Sequence, residues 1–484
     1  MTKKLKDLVV DKNLLLVGAL FLLGAILRFY KLGGFVTFLG DQGRDAIIIK
    51  RILTFEHFPA IGPPTSVGQV YLGSFYYYFI APWLWLFNFD PLGLAFGVAL
   101  ISSLYILINY LIVRDLFDRQ VALLSTLFVT FSSVLIEFSR FSWNPNLLAL
   151  FTLLTIYFFI KGFKNLNWKS FALAGAFLSF SVQLHYLALF LIPSIAIFAL
   201  IQLFEQKGEL KQIFKGIISS LATFLLFSIP LVIFDLRHNF LNTNNFLKLF
   251  RSASPSGANK FFNVLDTFLS FNQYAFRAEF SIIFSSIILA LFIFSLFFVI
   301  RKKDNLRSLL IFLIATAVGV SFYLSARYPH YFLILYPLYY ILVAFFLSSL
   351  LSSNAGKFVI AVFLISFIFL NSQGYYFLTV RENNQIEAAK KVAKIIADNS
   401  VHEGYRLTSL PQQYGDYTYR YFLEIWGKKP IEKGSFARTP TLFVVCEEEC
   451  KPIGDPQWDI AYFAPRKIVG TWETDSVKIY KLTR

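Results

Sequence analysis

The feature that most constrains this chain is a series of apolar runs that recurs from near residue 14 to near residue 378. Most of the runs are roughly 18–22 residues long, the length at which a helix crosses hydrocarbon. The runs lack the alternation of a barrel strand, and backbone groups in lipid must be satisfied within each segment. They therefore predict a polytopic α-helical membrane protein. Charged residues make up only 15% of the chain, against about 25% in soluble domains.

The runs lie near 14–30, 75–88, 91–113, 120–137, 146–160, 170–184, 187–204, 213–234, 281–300, 308–325, 331–351 and 357–378. The run at 75–88 is short and holds Pro82, Tyr76-Tyr77-Tyr78, Trp83 and Trp85. If it does not cross, the loops at Arg114–Arg119, Lys161-Lys164-Lys169, Lys207-Lys211-Lys215 and Arg301-Lys302-Lys303-Arg307 all share the N-terminal side. If it crosses, they all invert. The positive-inside rule selects the first arrangement: about eleven spans, an interfacial or re-entrant 75–88, and a cytoplasmic N-terminus in the plasma membrane. The flank Lys3-Lys4-Lys6 before the first run, with no small-residue cleavage site after it, reads as an uncleaved anchor. The net charge of +16 is then largely a topology signal, and no nucleic-acid partner is expected.

This topology gathers residues 31–90, the turn Glu137 to Asn146, the loop Asp235 to Glu279 and short turns at His185 and Ala326 to His330 on one outer face. The tail joins them. Residues 1–378 read as the membrane module and 379–484 as an extracytoplasmic α/β domain large enough for its own core. Its expected elements are a helix over Ile386 to Ala397 and strands at Thr441 to Val445 and Ser476 to Leu482. Cys446 and Cys450 fall short of the four ligands of a structural zinc site. A disulfide and two free thiols both stand as readings.

Among outer residues, Asp41 and Asp45 lie four apart and share a face if 41–55 is helical. Asp41 is the candidate general base, and Asp45 either assists or pairs with Arg44 or Lys50. Arg140, Arg237, His238, Arg327, His330 and Tyr331 stand where positive charge is otherwise rare, so they are candidates to hold a phosphate. Asn144 and Asn146 flank Pro145 and suit the cap of the next helix. Arg44, Asn144, His185 and Tyr186 complete the set as acceptor or supporting contacts, although a lone histidine at a turn is more often a cap. A pocket is expected between the first outer loop and the long loop, with Tyr274 and Arg277 as late contributors. There is no Walker loop, no HExxH and no dinucleotide fingerprint.

With these residues in place, the chain resembles the C-type glycosyltransferase (GT-C) superfamily, in its protein-mannosyltransferase and aminoarabinose-transferase branch. The resemblance covers roughly residues 10–350. It is carried by the order of Gly40-Asp41-Gln42-Gly43-Arg44-Asp45, the aromatic stretch Tyr71 to Phe87, Ser139-Arg140 before Trp143-Asn144-Pro145, Gln183-Leu184-His185-Tyr186 and Arg327-Tyr328-Pro329-His330-Tyr331. It implies transfer of a sugar from a polyprenyl-phosphate donor to a lipid, glycan or protein acceptor on the outer face, with Asp41 as the base and Arg237 or Arg327 on the leaving phosphate. Two departures matter. Gln42 replaces the second acid of the family's usual pair, and Asn144 and Asn146 replace an acid near the next outer arginine. Both remove hard oxygen ligands, so no cofactor is expected and a divalent metal is disfavoured. Two other readings compete. A lipid-linked oligosaccharide flippase or polymerase needs neither the outer acid nor the tail, and a membrane scaffold needs only the tail.

Overall fold

The computed structural model describes residues 12–65, 69–252, 260–279, 286, 290, 304–322, 327–400, 404–474 and 477–484. Helix α1 (Lys12–Phe29) leads through a loop to α2 (Gly40–Leu53) and to an antiparallel hairpin of β1 (Ile61–Pro64) and β2 (Tyr71–Gly73). Then come α3 (Phe75–Leu86), α4 (Leu92–Leu116), α5 (Arg119–Phe131), α6 (Leu148–Asn165), α7 (Trp168–Leu184), α8 (Leu191–Glu205) and α9 (Leu210–Arg237). The expected long loop is itself helical, with α10 (Leu241–Ser252) and α11 (Lys260–Phe276). The helical part continues with α12 (Asn305–Ser321), α13 (Tyr336–Ser349) and α14 (Asn354–Ser372).

Five helical segments among the described residues are long and apolar enough to cross a membrane: Leu92–Leu116, Asn144–Asn165, Tyr186–Glu205, Lys207–Arg237 and Asn354–Ser372. Shorter apolar helices at Leu14–Phe29, Arg119–Phe131, Asn305–Ser321 and Tyr336–Ser352 pack with them. The apolar run at 281–300, apart from residues 286 and 290, the cluster Arg301-Lys302-Lys303, the Lys3-Lys4-Lys6 flank and Ala326 lie outside the described residues. Helix α3 has 12 residues. At 1.5 Å per residue it reaches about 18 Å, short of the roughly 30 Å hydrocarbon core. It folds back on α4, where Gly93 and Gly97 make room for it: a side chain at Gly97 would overlap the Trp83 ring.

Ion pairs tie together the helix ends remote from α2. Lys161 at the end of α6 meets Asp115 at the end of α4, at 3.0 Å. Arg307 at the start of α12 holds Glu205 at the end of α8 through both nitrogens, at 2.6 and 2.8 Å. The α6–α7 and α8–α9 turns, with their lysines, therefore lie at the opposite end of the bundle from α2.

The opposite end contains breaks in the helices, and buried cations close them. The last four carbonyls of α5 have no partner within the helix. Ser132 N–H donates to Phe128 O, Arg28 donates to Val129 O and Thr130 O, and the Tyr375 hydroxyl donates to Phe131 O. Each is thereby satisfied.

The tail holds α15 (Gln385–Asn399), β3 (Tyr405–Leu410), α16 (Tyr417–Ile425), β4 (Thr441–Cys446), α17 (Trp458–Phe463), β5 (Lys467–Glu473) and β6 (Lys478–Thr483). The sheet order is β3-β4-β6-β5, with β3 and β4 parallel and the other pairs antiparallel. Helix α15 buries Ile386, Ala389, Val392, Ala393 and Ile396, the stripe its spacing predicts. Strand β6 stands at the expected place, with Ser476 outside the described residues, whereas β3 and β5 were not expected. Cys446 and Cys450 are joined as a disulfide.

This domain seats on α2. Arg51 binds the Glu424 carboxylate through Nε and a terminal nitrogen at 2.9 and 2.8 Å. The Phe38 amide donates to Gln385 Oε1 at 2.7 Å, and the Tyr421 hydroxyl donates to Phe89 O at 2.5 Å. The closest approach is at Gly43, where a β-carbon would come within 2.5 Å of the Thr418 amide nitrogen and 2.6 Å of the Tyr417 carbonyl carbon. Backbone cannot yield as a flexible side chain does. Gly43→Ala is expected to destabilise the docked tail by about 2 kcal/mol, seen as a lower thermal unfolding midpoint and faster proteolysis of the tail. Wild-type values would show that the contact relaxes.

Candidate active site

The site starts with the first turn of α2. Leu39 is extended, and its amide donates to Gln42 Oε1 at 3.1 Å, so Gln42 closes the helix start. Asp41, one residue into the helix, keeps 55% of its side chain exposed. Arg44 joins the two acids: it reaches Asp41 Oδ1 at 2.8 Å and Asp45 Oδ1 at 3.0 Å through Nε and at 2.8 Å through a terminal nitrogen. The Tyr77 hydroxyl of α3 donates to that same Asp45 oxygen at 3.1 Å. Lys50, the other expected partner of Asp45, binds Glu56 and Glu424 instead.

Asp45 is 1% exposed, and its Oδ2 has no hydrogen-bond partner among the described residues. Burial pushes its carboxyl up, against the pull of Arg44 and Tyr77. Burial also works against the charge on Arg44, but Asp45, Tyr77 and Asp41 outweigh it and hold the guanidinium above its ordinary value. Asp45 therefore acts from behind, anchoring Arg44, and only Asp41 of the two acids reaches the cavity.

That cavity has a volume of about 320 Å³. Asp41 and Arg44 form one wall, and Pro63, Pro64 and Leu72 of the hairpin form another. The turn Trp143-Asn144-Pro145, the pair His185-Tyr186 and the pair His330-Tyr331 close it. An apolar arm is lined by Leu189, Phe190, Pro193 and Phe246. The predicted pocket between the first outer loop and the long loop is thus present, with Phe246 of α10 as the long loop's contribution.

The two imidazoles face each other at 6.0 Å between ring centroids. His185 Nδ1 accepts the Leu187 amide at 3.1 Å, so His185 both caps the turn and lines the cavity. His330 packs against Trp143 at 4.7 Å and Tyr331 at 4.4 Å, and stacks on Tyr328. Burial pulls His185 down to about 3, aided by His330, and burial pulls His330 down to about 4. Both rings are therefore neutral at pH 7.

Asn242 had no sequence signal. Its side chain accepts the Tyr71 amide at 2.6 Å and donates to Tyr71 O and the Tyr186 hydroxyl, each at 2.9 Å. It ties the hairpin, α10 and the His185-Tyr186 turn into one wall. Tyr77 lies in the aromatic stretch, but only the fold brings it to Asp45.

The structure leaves other candidates outside the cavity. Arg140 is fully buried, donating to Leu27 O, Arg28 O and Tyr30 O at 2.8–3.0 Å with its guanidinium 4.0 Å from the Phe377 ring. Its charge closes the C-terminus of α1, where a cation suits the helix dipole. Arg237 is exposed in the last turn of α9. His238 is hydrogen-bonded to Phe234 O and stacked on the Phe234 ring. Arg327 pairs with Asp266. Tyr274 donates to Arg327 O, and Arg277 lies against Gly374. Asn144 and Asn146 cap no helix: they donate to Leu184 O at 2.6 Å and Phe141 O at 2.7 Å, and Leu147 takes the cap position of α6.

Arg140→Met would leave three carbonyls without their donor. It is expected to cost about 3 kcal/mol of stability, seen as a lower thermal unfolding midpoint. An unchanged midpoint would show that the three carbonyls do not depend on Arg140.

Comparison with known proteins gives three findings. Residues 74–234 match the family described as dolichyl-phosphate-mannose-protein mannosyltransferase. ArnT from Cupriavidus metallidurans, solved bound to undecaprenyl phosphate, superposes with a TM-score of 0.64 at 13% identity, over 96% of this chain and 97% of that one. The Archaeoglobus fulgidus oligosaccharyltransferase in its apo form superposes with a TM-score of 0.54 at 14% identity, over 86% of this chain and 64% of that one. The archaeal oligosaccharyltransferase AglB from Archaeoglobus fulgidus, in complex with an inhibitory peptide and a dolichol-phosphate, gives 0.50 at 15% identity, over 90% of this chain and 69% of that one. No curated protein sequence matches the chain.

Proposed function

We propose that this chain is a glycosyltransferase of the GT-C superfamily, the reading that the family match and the similar folds support, and that it transfers a sugar from a polyprenyl-phosphate donor to an acceptor at the outer face of the cell membrane. The observation that carries this reading is the position of Asp41. It is a half-exposed carboxylate at the wall of an otherwise largely aromatic and apolar cavity, held by a guanidinium that is itself anchored from behind. The two relatives solved with undecaprenyl phosphate and dolichol-phosphate support a lipid phosphate as the donor's handle.

In this mechanism the polyprenyl chain follows the apolar arm past Phe190 and Pro193, and the sugar lies near Asp41. Asp41 accepts the proton of an acceptor hydroxyl or amine as that atom attacks the anomeric carbon. The bond from that carbon to the phosphate oxygen breaks, and its electron pair stays on the departing polyprenyl phosphate. Attack opposite the leaving group inverts the anomeric centre. Arg44 fixes Asp41 in place, a geometric contribution that a freely rotating carboxylate would lack.

The donor set does not suit a divalent cation. Among the described residues no three His, Cys, Asp or Glu side chains gather around one point, and Arg44 fills the space between Asp41 and Asp45. No step of the proposed mechanism is routed through a metal. The gathering of basic turns at the opposite end of the bundle supports a cytoplasmic N-terminus, with the cavity and the 379–484 domain outside. A flippase path would need polar lining through the bundle, whereas the charged residues of this cavity are Asp41 and Arg44.

The test is transfer of radiolabelled sugar from a panel of polyprenyl-phosphate sugars in membranes containing the wild type or Asp41→Asn. Wild-type incorporation that falls at least ~100-fold in the variant is expected. Equal incorporation by the two proteins would remove Asp41 as the base.

A further inference from the structure

The cavity presents a charge problem, posed on the donor reading above. A polyprenyl-phosphate sugar carries one negative charge on its phosphodiester, and the departing monoester carries up to two. Among the cavity-lining residues Arg44 is the single lysine or arginine, and Asp41 and Asp45 already engage it. Of the arginines that the sequence offered for this role, Arg140 closes the end of α1, Arg327 pairs with Asp266, and Arg237, exposed in the last turn of α9, does not line the cavity. The cavity offers two imidazoles in their place.

We propose that His185 and His330 bind the donor phosphate, and that His330 takes up a proton as the phosphate enters. Each ring is suited to its part. Nδ1 of His185 is committed to the Leu187 amide, so in the neutral ring the proton sits on Nε2, which can donate to a phosphate oxygen. The ring nitrogens of His330 make no hydrogen bond among the described residues, and its faces and edges are packed by Trp143, Tyr328 and Tyr331. An imidazolium in that aromatic slot meets the negative faces of rings and presents N–H donors to an anion.

The surroundings hold the switch in its neutral position until an anion arrives. The charged groups across the cavity are Asp41 and Arg44 of α2, which pair with each other, and the neutral tyrosines are Tyr186, Tyr328 and Tyr331. The hairpin and α8 bring Thr65 and Pro193, and α10 brings Phe246, with no charge among them. On the segment whose Phe138 ring touches His330, burial pushes the Glu137 carboxyl up against the pull of Arg277. Arg327, three residues before His330, is paired with Asp266. The lining thus offers the imidazoles no unshared carboxylate, and burial keeps both neutral when the cavity is empty. A phosphate supplies the missing opposite charge and reverses that balance. The gain is greatest for the product. When the sugar leaves, the electron pair stays on the phosphate, the acceptor's proton rests on Asp41, and the imidazolium faces the new charge.

The test is calorimetry of the full-length protein in nanodiscs with undecaprenyl phosphate, in two buffers of different ionisation enthalpy at pH 7.5, with undecaprenol as the phosphate-free control. Wild type is expected to take up about one proton more than His330→Gln, and the variant to bind roughly 10-fold more weakly. His185→Asn is expected to weaken binding and keep the proton uptake. Undecaprenol is expected to bind without uptake. Equal uptake by wild type and His330→Gln, or uptake with undecaprenol, would overturn the proposal and leave the donor site standing. Failure of undecaprenyl phosphate to bind the wild type would overturn the donor site as well.

Discussion

The functional end of this protein depends on one guanidinium between two carboxylates. Arg44 spans Asp41 and Asp45 from consecutive turns of α2. A carboxylate at a membrane surface is free to rotate unless something holds it, and an arginine that holds it must be held in turn. Asp45 does this at 1% exposure, itself braced by Tyr77 from the short helix α3. The ion pair is costly to bury, so its value lies in geometry: α2, α3 and the tail domain must all be in place before Asp41 points into the cavity. Gly43 on the adjacent turn lets the tail reach α2, which links the tail to the chemistry without a residue of the tail entering the cavity.

A second theme is the use of buried arginines as helix caps. Helices α1 and α5 end inside the protein, where carbonyls without partners would each carry a desolvation cost. Arg140 closes α1, and Arg28 closes α5 together with Tyr375. Such cations resemble ligand-binding charges from sequence, because they are rare and sit at helix ends that the charge pattern reads as outer. They differ in burial and in partners, since their donors are spent on backbone. The cavity consequently has little permanent positive charge for a phosphate-bearing ligand, and the two neutral histidines stand where that charge would be needed.

Much of the architecture was legible in the residues, because lipid imposes length and apolarity one segment at a time. The short run at 75–88, the helix over Ile386 to Ala397 and the GT-C resemblance rest on such local signals. Seven candidate residues meet at the cavity: Asp41, Arg44, Asn144, His185, Tyr186, His330 and Tyr331. They share the boundary between apolar runs and polar turns, which sequence locates well. Sequence locates partners poorly. Nothing in the order of residues says that Arg140 folds inward onto α1, that Arg327 meets Asp266, or that Asn242 ties Tyr71 to Tyr186 across more than a hundred positions. Strands β3 and β5 were missed for a related reason. β3 is buried on both faces and shows no alternation, and β5 is an exposed edge.

The central claim is that Asp45 serves catalysis by anchoring Arg44, without touching substrate. Steady-state transfer kinetics of Asp45→Asn test it most directly, because the substitution keeps the shape of the side chain and removes its charge. The account predicts a kcat at least ~10-fold lower with the KM for donor nearly unchanged, the signature of lost alignment in the transition state. A kcat equal to that of the wild type would contradict it.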